Sequence, residues 1–192
     1  MSFLENLSND EKTLLVSLPY RAGLWVSHAD DKGRGAGKTH ELKTIEGVIT
    51  RLSEGMIASA FVHEVMQATH ARRDEWPSWS LQTGTVPDEA RAAVELLKRK
   101  MMPQDAEAYV QIIMTIAYET AYAFREFDRT VSIPIRIWVG LQLAWEAFIR
   151  TGNKDYRLES LTNISLAEDE AIALLAQALT LETEVLPMAN AV

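Results

Sequence analysis

The chain has no cysteine among its 192 residues, which excludes disulfides, thiolate metal ligands and cysteine nucleophiles and fits a reducing cytosol. It has no run approaching the roughly 18 uninterrupted apolar residues of a membrane span. The opening stretch MSFLENLSNDEK is acidic and lacks the basic-then-apolar order of a signal peptide, so a soluble, cytoplasmic protein without membrane insertion is expected. Basic excess is missing as well: 19 Lys and Arg stand against 27 Asp and Glu, a net charge of −8 that repels a phosphate backbone. Nucleic acid is therefore not expected as a partner. The two short basic clusters, Arg72-Arg73 and Lys98-Arg99-Lys100, read as helix C-termini, where cations complement the macrodipole.

Signatures of catalysis are also lacking. No Gly-x-Ser-x-Gly elbow occurs, nor any Glu-x-x-His pair of the kind a di-metal helical bundle presents. Glu119 and Glu126 share a helix face but read as surface glutamates, since unpaired buried carboxylates are expensive. His63 and His70 stand about 10 Å apart along a helix axis, too far to share one ion. The stretch GRGAGKT at 33–39 ends like a phosphate-binding P-loop, yet only three residues separate Gly33 from Gly37 where that loop needs four. The preceding segment GLWVSHADD reads as a helix ending in two carboxylates, not a buried strand, so no nucleotide is expected.

What remains is ordinary globular composition, 47% hydrophobic and 24% charged, in a chain long enough for one core. A single all-α domain over residues 1–192 is expected, with 185–192 as a loose tail. Apolar residues recur at helical spacing almost throughout; the one strand-like stretch, 131–135, is demoted by Pro134. Ser8 and Glu11 have capping-box spacing and open the first helix. Pro19 either opens a new helix capped by Ser17 or kinks a continuous one. Residues 40–72 read as helical with Leu42, Ile45, Val48, Ile49 and Leu52 on one face, bent or broken at Gly55. Residues 73–87 form a loop pinned to the body by Trp76 and Trp79, and 88–101 a short amphipathic helix. The helix at 104–127 takes the central place, followed by one at 134–150 carrying Trp138 and Trp145 and a last one opened by Ser165 and Glu168. The count is about seven helices.

Around the glycine-rich stretch, Asp30 and Asp31 close one helix while His40 and Glu41 open the next. Carboxylates converging there would suit a hard cation such as calcium or magnesium; equally, Glu41 can simply favour a helix N-terminus and Asp30 cap a turn. The stretch LPYRAGLWVSHADD…HELKTIEGVI, with Ala29-Asp30 ending one apolar helix and Glu41-Leu42 starting another, resembles the TerB family of tellurite-resistance proteins. That resemblance implies a small, acidic, all-helical cytosolic accessory protein, connected with stress response and acting through protein partners. It also implies a divalent-cation role for Asp30 and Glu41, with Asp31 standing where the family has glycine. A second copy of the motif is degraded: residues 164–170 keep its helix-opening acids but no Ala-Asp precedes them. Two alternatives stay open: a metal-free protein-binding or self-associating helical module, and a helical-bundle metalloenzyme.

Overall fold

Helix α1 (Asn9–Ala29) starts where Ser8 and Glu11 cap one another, the Ser8 N–H donating to Glu11 Oε2 at 2.8 Å and the Glu11 N–H to Ser8 Oγ at 3.3 Å. The computed structural model describes residues 2–29, 38–55, 57–123 and 166–180. The described elements that follow are α2 (Lys38–Glu54), α3 (Ala60–Ala71), the single-turn α4 (Trp76–Trp79), α5 (Val86–Lys100), α6 (Pro103–Ala123) and α7 (Leu166–Ala178). Three short 3-10 segments join them, Leu4–Asn6, Arg73–Glu75 and Ser80–Thr85, and no strand occurs among the described residues. The fold is an all-α bundle. The expected helix at 134–150 with Trp138 and Trp145, together with Glu126, Ser165 and the 185–192 tail, lies outside the described residues.

Helix α1 is continuous through Pro19, and Ser17 is interior to it and not a cap. Proline has no N–H for the carbonyl four residues back, so the Leu15 carbonyl loses its helical donor. The missing donor comes from elsewhere: the fully buried Tyr109 on α6 gives its hydroxyl to the Leu15 carbonyl at 2.8 Å. One residue on, Thr69 of α3 places its hydroxyl 2.7 Å from the Val16 carbonyl and 2.9 Å from its own Val65 carbonyl. Burial holds the Tyr109 phenol well above its ordinary pKa, so it remains a donor across the working pH range.

From Leu15 to Leu24 helix α1 is buried on all sides, with Ser17 and Arg21 enclosed alongside Leu15, Leu18 and Leu24. The cause is position, because α1 contacts each of the other six described helices and shares the centre of the bundle with α6, its most extensive partner. Gly23 allows that crowding. A Cβ there would stand 3.2 Å from Ile45 on α2 and 3.2 Å from the Thr120 hydroxyl on α6. The enclosed Arg21 cation is balanced by Glu89 of α5 and donates to Thr85 Oγ1 at 2.9 Å.

Helix ends are closed by side chains from neighbours. Ser59 caps α3, accepting from Val62 N–H at 3.2 Å and donating to Asp105 at 2.6 Å. His63 Nε2 lies 3.1 Å from the Ser53 carbonyl in the last turn of α2, which stops before Gly55. Lys98 and Lys100, in the last turn of α5, reach Glu95 and Glu11 at 3.1 and 2.8 Å. No described helix is long and apolar enough to cross a membrane.

Candidate functional site

The segment expected as a tryptophan-bearing loop is helical almost throughout, a 3-10 turn, α4 and a second 3-10 run in succession. Both tryptophans turn inward and are buried. Trp76 does two things. Its indole N–H donates to the Thr69 carbonyl at 3.1 Å, one of the orphan acceptors at the end of α3, and its ring stacks on Tyr20 of α1 with centroids 4.5 Å apart and planes 19° from parallel. Trp79 lies under the Arg72 guanidinium at 5.4 Å, while that guanidinium forks onto Glu75 at 2.7 and 2.6 Å. This pairing holds the Glu75 carboxyl below its usual range.

Between this segment and α2 lies an open cleft of about 430 Å³. Its base is Tyr20, its apolar walls are Leu42, Trp76 and Pro77, and Glu46, Arg73, Asp74 and Ser80 complete the lining. Tyr20 is only 3% exposed. Burial and then the Glu46 carboxylate push its phenol up from 10.0 to about 12, so the hydroxyl stays protonated beside that acid. Among the described residues the Tyr20 hydroxyl has no hydrogen-bond partner, and neither Glu46 nor Asp74 takes part in a salt bridge.

Leu42 corrects the sequence expectation. It belongs to the apolar stripe of α2, yet it is 43% exposed while Ile45, Val48 and Ile49 are buried. The first leucine of the stripe lines the cleft instead. Sequence periodicity marks a face and not the point at which the opposing helix ends. Glu46 and Asp74 carried no signal of their own, being two ordinary surface acids far apart in sequence.

Of the three acids proposed for a cation, Asp30 and Asp31 lie outside the described residues, directly after the last residue of α1. Glu41 falls in the first turn of α2, and α1 and α2 pack against each other. Among the described residues no group of three or more histidines and acids is arranged to hold a metal ion. His63 is occupied at the end of α2, and Glu119 pairs with Arg51. No protein-family model, curated protein or solved structure matches the chain.

Proposed function

We propose that this chain is a non-enzymatic accessory protein of the TerB-like kind, which works by engaging a protein partner and takes up a divalent cation at the acidic connection between α1 and α2. The observation that carries the reading is the packing of α1 against α2, the two helices on either side of the acidic connection. Helix α1 is described through Ala29, with Asp30 next in the chain, α2 carries Glu41 close to its first described residue, and the two helices are packed partners. A connection between two packed helices is tied to one body at both sides, and oxygen-rich connections of this sort suit calcium or magnesium.

Calorimetric titration of calcium, magnesium and, as a soft-ligand control, zinc into metal-free protein tests the cation half. Saturable heat with calcium or magnesium, lost in an Asp30→Ala, Glu41→Ala double variant, is expected. Absence of heat, or heat unchanged by the double variant, removes it. The partner half is tested by affinity capture combined with light scattering; a strictly monomeric protein that captures nothing specific removes that half. A metal-free binding module is the second reading, and the aromatic-based cleft between α2 and α4 favours it.

A further inference from the structure

The cleft beside Tyr20 supports a more specific statement, which rests on the partner half of the reading above. Its lining is acidic by one charge, since Arg73 offsets only one of Glu46 and Asp74. The neighbouring Arg72, which could have added a second cation, is committed to Glu75 and to the face of Trp79. The enclosed Tyr20 phenol lines the cleft beside a stacked aromatic pair, and the exposed Glu46 carboxylate is near enough to act on it electrostatically. The upper wall is a half-exposed leucine and a proline. A group suited to all of this is an alkyl chain that ends in a cation. Its stem covers Leu42 and Pro77, and its head meets the Tyr20 oxygen and the carboxylates against aromatic edges and faces. The charge of −8 on the whole chain draws such a segment in at long range.

We propose that the cleft between α2 and α4 is a docking site for a basic amphipathic segment of a protein partner, which inserts a lysine or arginine side chain toward Tyr20 and Glu46 and rests an apolar neighbour on Leu42. The cleft of about 430 Å³ holds only a few side chains. Recognition is therefore of a short motif, with modest affinity and strong salt dependence.

Fluorescence anisotropy on the intact 192-residue chain tests this with a labelled peptide that alternates leucine and lysine, and with its counterpart carrying glutamate for lysine. The lysine peptide is expected to bind at low ionic strength and the glutamate peptide not to. Glu46→Gln is expected to weaken binding about fivefold, the scale of one partly exposed ion pair. Leu42→Ala should do likewise through lost apolar contact. Both positions are exposed, so the fold tolerates the changes, and unchanged thermal melting checks that. Glu107→Gln on α6, which removes the same charge elsewhere, is expected to leave binding alone.

Equal loss from Glu46→Gln and Glu107→Gln would reduce the effect to bulk charge and overturn the proposal, as would equal binding of the glutamate peptide. A natural partner captured equally by wild type, Glu46→Gln and Leu42→Ala would overturn the cleft while leaving the partner reading intact. Peptide discrimination at the cleft, in a protein that captures no partner, would uphold its chemistry and remove the partner reading alone.

Discussion

The hydroxyl of Tyr109 can be separated from its ring by a mutant cycle with Pro19. Tyr109→Phe leaves the Leu15 carbonyl, on a residue with no exposed surface, without any donor, because the residue four places on is the proline. Stranding a buried carbonyl costs about 1–3 kcal/mol. With Pro19→Ala in place, the alanine amide supplies the ordinary helical bond, and the same Tyr109→Phe change then removes a redundant donor. The cost should fall to about 0.5 kcal/mol or less, giving a coupling of about 1–2 kcal/mol. Pro19→Ala alone gains helix propensity and loses ring packing and chain stiffness, terms that cancel out of the cycle. Equilibrium urea unfolding of the four proteins reads the effect as a midpoint shift of about 0.5–1 M, present with the native proline and nearly absent in the Pro19→Ala background. Equal Tyr109→Phe shifts in the two backgrounds would refute the claim that the phenol substitutes for the proline's missing amide.

Other expectations are more direct. Gly47→Ala, where a Cβ meets nothing within 4 Å in mid-helix, should stabilise by about 0.5–1 kcal/mol; Gly23→Val, which forces atoms into Ile45 and Thr120, should destabilise by about 1–3 kcal/mol, and paired thermal melts decide both. Glu89→Gln, which takes a carboxylate away from the enclosed Arg21, should cost about 3 kcal/mol in chemical denaturation, with Arg21→Met recovering part of the loss. The Tyr20 phenol is raised in the folded state, so the stability it contributes is intact below pH 10 and disappears as pH climbs toward 12; Tyr20→Phe should flatten that alkaline limb in denaturation curves. Glu64 accepts from the Phe3 and Leu4 amides at 2.8 and 3.4 Å, and Glu64→Ala should speed amide exchange there while leaving the α1 interior protected.

The all-helical class, the Ser8–Glu11 cap, the helix start at Pro103 and the break near Gly55 were legible because each depends on residues within about one helical turn of one another. The tryptophan segment was half legible: aromatics among prolines marked it as pinned, but its conversion into helical turns depends on Tyr20 and Thr69, which belong to other helices. Burial of α1 on every side, with Arg21 inside, could not be read from a stripe of apolar residues, since it arises from six partners spread along the chain. The cleft was least visible. Leu42, Glu46 and Asp74 take their meaning from the placement of α2 beside the tryptophan segment, a juxtaposition that one-dimensional periodicity does not encode.

The seat of α1 among all its neighbours also has a bearing on synthesis. Its Trp25 indole donates at 3.2 Å to the carbonyl of Ala171, 146 residues later. At ribosomal speed that interval is on the order of ten seconds, during which a helix enclosed over most of its length in the finished bundle has emerged and its final cover has not. Whatever shields the apolar side chains of a nascent helix in the cell, whether a chaperone or a provisional packing, must act on this segment first. Moving residues 9–29 to the C-terminus by circular permutation would shorten that wait for all of its contacts at once.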